Sequence, residues 1–296
     1  MNKSSIYLPD ELKRALGELA ARTGRSEADL IRNAIERLVA VSVPAAPAAA
    51  PMVAIVKPSL VGVGVGPGDP GLITDRARAT LLAADRVVVL TTDVRSVGRA
   101  EMVVRAVAPM AHVQRVPFAI SGDAGQRHAS LMDVAAEVLA AVDGGELVAV
   151  AVIGDPSQWT VFPELAALVG TQRPSVPVSA EPGITSYQAA AAARGLALGI
   201  AGGAMVVLDD AGGLCPRLAE ACNSVVLYKA STDTKTVKAA AVRAARPTAF
   251  VAELSGLPGQ RLVPLDDAGD GPISYLATVV FPATSDALNA LNGASK

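Results

Sequence analysis

The sequence predicts an α/β protein whose two-part body begins at Pro58 and follows a small strand-helix-helix head. Three observations carry this prediction. From Pro58 onward short aliphatic runs alternate with helix-period runs, and residues 61–74, VGVGVGPGDPGLIT, pass from an apolar strand through a Gly/Pro loop into a helix. An Ala/Pro-rich stretch at 41–57 separates the first 40 residues from the rest. With 296 residues, 51% hydrophobic and only 3% aromatic, the chain can hold two or three domains whose cores are built from small aliphatic side chains.

The head reads as a strand at residues 4–8, with Ile6 and Leu8 on one face and Ser5 and Tyr7 on the other. A helix follows Pro9 with Leu12, Leu16 and Leu19 on one stripe, and Gly24 is placed to end it. Ser26 and Asp29 form a capping pair for a second helix with Leu30, Ile31, Ala34, Ile35 and Leu38 on its apolar side. So short a unit cannot bury two such stripes alone, which predicts a partner. This pattern in residues 1–40 resembles the ribbon-helix-helix family of dimeric DNA binders. The resemblance implies a homodimer in which Lys3, Ser5 and Tyr7 face base edges in the major groove and Ser26 lies near a phosphate. Seven Lys or Arg stand against six Asp or Glu in the head, a net of +1, so a dimerisation clip without DNA contact stays open beside the DNA-binding reading. Pro44, Pro47 and Pro51 make 41–57 a semi-extended linker.

In the body, Leu60, Val61, Val63 and Val65 suit a buried strand, while Gly62, Gly64, Gly66 and Gly68 leave room for close approach of backbone or ligand. Pro67 and Pro70 stiffen the turn, and Thr74 caps a helix carrying Ala77, Leu81 and Leu82. The dinucleotide fingerprint GxGxxG fails, because Pro67 stands where its last glycine belongs. Further strands are expected at 86–90, 147–153, 204–208, 224–228, 248–252 and 274–281, in largely parallel sheets, with an amphipathic helix over 129–142. A boundary near 178–181 divides 58–180 from 181–285, and 286–296 form a tail.

Five segments resemble, in order, the blocks of the tetrapyrrole methylases. They are the first loop with its helix ending LLAADRVVV, VAVAVIGDPS at 148–157, EPGITSYQAAAA at 181–192, SVVLYKA at 224–230 and AFVAELSGLPGQRL at 249–262. The resemblance covers roughly 58–282 and implies an S-adenosyl-L-methionine-dependent methyltransferase acting on a tetrapyrrole, with a cofactor trough between the two halves. It implies cofactor contacts at Pro67, Ile153, Gly154, Asp155, Gln158, Thr185, Ser186, Tyr228, Lys229 and Gly256. Asp69 is either a turn former or a carboxylate that faces the pyrrole nitrogens or helps remove a proton; we take it as the catalytic candidate. Methyl transfer from a sulfonium rests mainly on positioning, so no firm general base is named.

GDPS in the second loop, HVQRVPFAI at 112–120, Lys229, and GLPGQRLVPL followed by SYLATVVF resemble the branch that methylates carbon 20 of precorrin-2, or its cobalt form, in cobalamin biosynthesis. The chain departs from that branch after DPS, where Gln158, Trp159, Thr160 and Val161 replace the usual Leu-Tyr-Ser-Thr. Trp159, the only tryptophan, is expected to pack under the following helix, the alternative being stacking in the trough.

The remaining composition narrows the classes. A formal charge of -2 gives no overall attraction to nucleic acid or acidic membranes. The N-terminus lacks the order of a secretory signal and no long uncharged apolar run occurs outside proline-broken sequence, which predicts a cytoplasmic protein without a membrane segment. Cys215, Cys222, His112 and His128 show no zinc spacing, and packed thiols are expected.

Overall fold

The computed structural model describes residues 7–23, 26–32, 57–119, 123–209, 221–228, 234–243, 249–274 and 277–283. It falls into two compact units, Met1–Ala54 and Ile55–Lys296.

In the first unit α1 (Asp10–Thr23) carries Asp10 and Glu11 in its first turn and Arg22 in its last, signs that complement the helix dipole. A second helical stretch, 27–32, starts at the predicted cap: the Ser26 hydroxyl accepts from the Asp29 amide at 3.1 Å and donates to its carboxylate at 2.7 Å. Leu12 is 57% exposed, so the predicted apolar stripe of α1 is not closed within one chain. The expected strand lies largely outside the described residues, as do Lys3, Ser5 and most of the linker.

The second unit contains two five-stranded sheets. The first is built from β1 (Ser59–Gly64), β2 (Arg86–Thr91), β3 (Val113–Pro117), β4 (Leu147–Val152) and β5 (Val178–Glu181), all parallel, in the order β3-β2-β4-β1-β5. Side-chain alternation sorts each strand into two cores. Leu60, Val88, Val148 and Val150 meet Leu131, Val134 and Val138 of α4 (Ala124–Asp143) and Phe162, Leu165 and Val169 of α5 (Phe162–Gln172). On the other face Val61, Val63, Val87, Val89 and Ala149 meet Ala77 and Leu81 of α2 (Asp75–Ala83) and Val103, Val104 and Val107 of α3 (Arg99–Val107). Thr74 caps α2 as predicted, accepting from the Ala77 amide, but Leu82 is exposed. Helix α4 is longer than the expected 129–142, because Asp123 caps it one turn earlier through the Gln126 amide.

The second sheet comprises β6 (Met205–Leu208), β7 (Ser224–Tyr228), β8 (Phe250–Glu253), β9 (Arg261–Pro264) and β10 (Thr278–Phe281) in the order β6-β7-β10-β8-β9. Only the β6/β7 pair is parallel; the other three pairings are antiparallel. The expectation of largely parallel sheets therefore holds for the first half and not the second, where β8 and β9 are joined by a short turn that cannot supply a crossover. One face is covered by Val237, Ala240 and Ala241 of α7 (Thr234–Arg243), the other by Tyr187 and Ala190 of α6 (Ser186–Ala193). Cys222 borders the first of these cores, and Cys215 lies outside the described residues.

One buried charge joins α3 to the first sheet. The Glu101 side chain is 1% exposed and accepts from Arg115 Nε at 2.6 Å, Arg115 Nη2 at 2.9 Å and Arg105 Nε at 2.7 Å. The hydrogen bond from Arg115, assisted by Arg105, outweighs burial and holds this carboxyl below its ordinary value of 4.5. Such a group stabilises the fold fully above the unfolded value, and the contribution is lost as pH falls through the depressed folded value. Arg115→Met is expected to lower stability by about 2 kcal/mol near neutral pH, since one carboxylate loses its main donor. Urea midpoints taken at neutral and acid pH check this, with the gap between wild type and variant closing in acid.

Candidate functional site

The chain leaves β1 toward β2 on one side and leaves β4 toward β5 on the other, and the connecting helices α2 and α5 cover opposite faces. Adjacent strands with such divergent exits mark the place where open α/β sheets take their ligands, at the strands' carboxyl ends. Here the two exits stay joined beyond the sheet. The Val65 amide donates to Val152 O and the Gly154 amide to Gly66 O, both at 2.9 Å. The segment after β5 adds a third backbone. A Cβ on Gly64 would lie 2.6 Å from both Gly154 O and Gly183 N, and one on Gly183 would lie 2.0 Å from Gly154 O. Backbone of this protein thus fills the crevice between β1 and β4, and ligand space lies beside it.

Asp155 locks that arrangement. Its Oδ2 accepts from the Gly183 amide at 3.0 Å, while Oδ1 accepts from the Ser157 amide at 2.8 Å and from the Ser157 hydroxyl. Ion pairing of Arg76 Nε with Glu181 Oε2 at 2.9 Å ties the start of the EPGITS segment to α2. Thr185 is buried and forms a full capping box with Gln188 for α6, and the Ser186 hydroxyl lies 2.8 Å from that of Thr278 on β10. Both hydroxyls are therefore engaged by the fold.

Beyond Ser157 the loop turns outward. Trp159 has a left-handed backbone, φ 48, and is 39% exposed, contrary to the expected packing under a helix. Its ring centre lies 5.4 Å from that of Tyr228, which is 4% exposed and meets Tyr187 edge-on at 5.7 Å. The Tyr187 hydroxyl donates to Gln158 Oε1 at 2.9 Å. Ser157, Gln158 and Trp159 of the first half, with Tyr187, Met205 and Val207 of the second, line an open cleft of about 550 Å³. Its volume and lining, mostly apolar with a few polar groups, suit a nucleoside-sized ligand. Met205 and Val207 are alternate residues of β6 and so share one face.

A further contact between the halves lies at the first loop. A Cβ on Gly256, whose φ of +72 already disfavours a side chain, would meet Pro67 Cγ at 3.0 Å and Asp69 N at 3.1 Å, and Leu257 occupies the space a Cβ on Gly68 would need. Pro67 is buried there. Asp69 caps a short 3-10 turn, Pro70–Leu72, by accepting from the Gly71 amide at 2.8 Å, and its side chain is exposed. Of the sequence-predicted residues, Ile153, Gly154, Asp155 and Gln158 thus gather with Thr185, Ser186 and Tyr228, whereas Pro67, Asp69 and Gly256 form a separate junction. Lys229 lies outside the described residues. In the head, Tyr7 is 96% exposed.

Tyr187, Met205, Val207 and Gly183 were not among the predicted site residues. Tyr187 directly follows Ser186 in the EPGITSY segment, and that adjacency was the available signal. Among the described residues no cluster of three or more potential metal ligands occurs, and no helix is long and apolar enough to cross a membrane.

A body of two α/β sheets with a glycine-lined junction at the ends of β1 and β4 and a cleft between its halves defines the class. The model of the Tetrapyrrole (Corrin/Porphyrin) Methylases matches residues 59–268, and the chain belongs to that family. Residues 5–40 match the ribbon-helix-helix protein, CopG family, model. Cobalamin biosynthesis protein CobIJ of Mycobacterium bovis and of Mycobacterium tuberculosis is 26% identical over 76% of this chain, and the match spans only 46% of each relative. The chain therefore corresponds to about half the length of the curated relatives it matches. Among solved structures, the cobalt precorrin-4 methyltransferase CbiF superposes with TM-score 0.58 at 24% identity, covering 76% of this chain and 94% of that one. The uroporphyrin-III C-methyltransferase of Thermus thermophilus complexed with S-adenosyl homocysteine gives 0.53 at 23%, covering 78% and 99%. These likenesses establish a shared fold.

The junction makes a direct prediction. Asp155→Ala removes the acceptor for the buried-side Gly183 amide and is expected to cost about 1–3 kcal/mol. Gly183→Ala places a methyl against Gly154 O and is expected to lose the cooperative thermal transition or lower its midpoint further than Asp155→Ala does. Parallel melts by circular dichroism check the order.

Proposed function

We propose that the body is an S-adenosyl-L-methionine-dependent C-methyltransferase acting on a tetrapyrrole of cobalamin biosynthesis, namely precorrin-2 or cobalt-precorrin-2 at carbon 20. The observation that carries this reading is the cleft itself, formed where the GDPS loop of the first half faces α6 and β6 of the second in a member of the tetrapyrrole methylase family. The names of the similar proteins, a cobalamin biosynthesis protein and methyltransferases of precorrin-4 and uroporphyrin-III, support the substrate class. The tail segments GLPGQRLVPL and SYLATVVF support the carbon-20 branch.

When bound, the cofactor supplies an electrophilic methyl on a sulfonium. The chain's share is placement. Main-chain groups of Ile153 and Gly154 hold it beside the junction, Gln158 presents an amide fixed by Tyr187, and Asp155 keeps the loop rigid. Such positioning makes the transfer effectively intramolecular and supplies several kcal/mol of the barrier reduction. Thr185 and Ser186 act by shaping the start of α6. Asp69 caps the first turn beside the Gly256 loop, and its exposed carboxylate is the candidate to take the proton that the methylated ring carbon releases.

Two features favour a role for the head as well. The ribbon-helix-helix match and the exposed Leu12 and Tyr7 support a homodimer whose paired strands contact DNA through Lys3, Ser5 and Tyr7, with Ser26 near a phosphate. The corresponding second reading is a regulator that senses cofactor or tetrapyrrole without turnover.

Incubation with precorrin-2 and methyl-labelled cofactor, followed by NMR, is expected to place label on carbon 20; label elsewhere overturns the substrate assignment, and binding without turnover favours the regulator. A gel shift on the chain's own upstream DNA is expected to be salt-sensitive and weakened by Lys3→Ala and Tyr7→Ala.

A further inference from the structure

We infer that Trp159 is the ligand-facing wall of the cleft, and that its indole packs against the purine of an adenosyl ligand. This rests on the methyltransferase reading of the body and adds to it a residue whose expected place was in the core.

Four observations converge on it. Trp159 holds a left-handed backbone, φ 48, which a bulky L-residue adopts only when the surrounding structure imposes it, and such outliers gather at ligand sites. It is 39% exposed although it is the chain's only tryptophan and large aromatics are scarce elsewhere. The ring is held from one side by Tyr228, itself braced by Tyr187, so the indole is preset and loses little freedom on binding. Finally, the wall it forms is shared with Met205 and Val207, two aliphatic side chains on one face of β6, and with the Gln158 amide.

That lining selects the ligand chemistry. The described residues that line the cleft are uncharged, and a neutral purine needs no cation from them. Flat, neutral and nitrogen-rich, a purine matches an indole face, aliphatic side chains and one amide that can donate and accept. Alanine substitution at base-stacking aromatics typically weakens binding by about fivefold or more.

Because Trp159 is the only tryptophan, its fluorescence reports on this wall alone. The full chain is titrated separately with S-adenosylmethionine, S-adenosylhomocysteine, adenosine, homocysteine and precorrin-2, with calorimetry in parallel. Adenosine and S-adenosylhomocysteine are expected to shift or quench the emission, at midpoints that agree with calorimetry, and homocysteine is not. Trp159→Ala is expected to weaken S-adenosylhomocysteine roughly tenfold by calorimetry. Trp159→Phe recovers most of that loss, and both variants keep cooperative melts. Binding heat with constant emission and an unchanged affinity in Trp159→Ala overturns the purine wall and leaves the methyltransferase reading intact. A response to adenosine with no binding of S-adenosylmethionine or S-adenosylhomocysteine supports the wall and overturns the methyltransferase reading. Silence toward all of these overturns both, and a response to precorrin-2 alone reassigns the wall to the tetrapyrrole.

Discussion

The meeting of three backbones at Gly64, Gly154 and Gly183 is the constraint on which the body depends. Each strand exit could be drawn separately as a flexible glycine loop, but a Cβ at Gly64 or Gly183 would fall inside the van der Waals contact of the neighbouring segment. The loops are therefore packed like a core, with main chain in place of side chains. Asp155 supplies a polar closure for this packing, since its Oδ2 is the acceptor for the half-buried Gly183 amide. This explains why GDPS and EPGITS, remote in sequence, behave as one structural element.

From that junction the position of the cleft follows. With the space between β1 and β4 filled, ligand-accessible surface is displaced outward to the stretch after Ser157, where the second half provides α6 and β6 as the facing wall. The two halves also touch at Pro67, Gly68, Gly256 and Leu257, so the cleft is framed at one end by the GDPS loop while the halves are clamped together elsewhere. Aromatic residues are few, yet Trp159, Tyr187 and Tyr228 are grouped here. Tyr187 and Tyr228 also belong to the core on the α6 face of the second sheet, which ties the cleft wall to that core.

Much of the first half was legible in the sequence because its determinants are local. LVAVAV in β4 and RVVVLT in β2 are buried-strand runs whichever way they are read, and Thr74 sits where a cap is chemically required. Strand direction in the second half was not legible. SVVLY in β7 and FVAE in β8 are apolar runs that would read the same in a parallel sheet, and the short 254–260 turn, with Leu254 and Gly256 at positive φ, reverses the chain between β8 and β9. The site shows the same division. Asp155 and Thr185 are legible from motifs, whereas for Trp159 the sequence predicts packing, because the size of a side chain predicts burial and the sign of its φ is not written in its identity. Met205 and Val207 carry no motif at all, and their role follows from β6 standing at the edge of its sheet.

The glycine junction has a consequence for how the molecule forms. Its three partners come from the first, fourth and fifth strands of the parallel sheet, so the contact cannot exist until most of the first half has been threaded into register. Contacts of this range close late, after local helices and neighbouring pairings have limited the search. A chain stalled before that point has strands and helices but no cleft, which makes ligand-binding competence a report on completed folding of the whole first half.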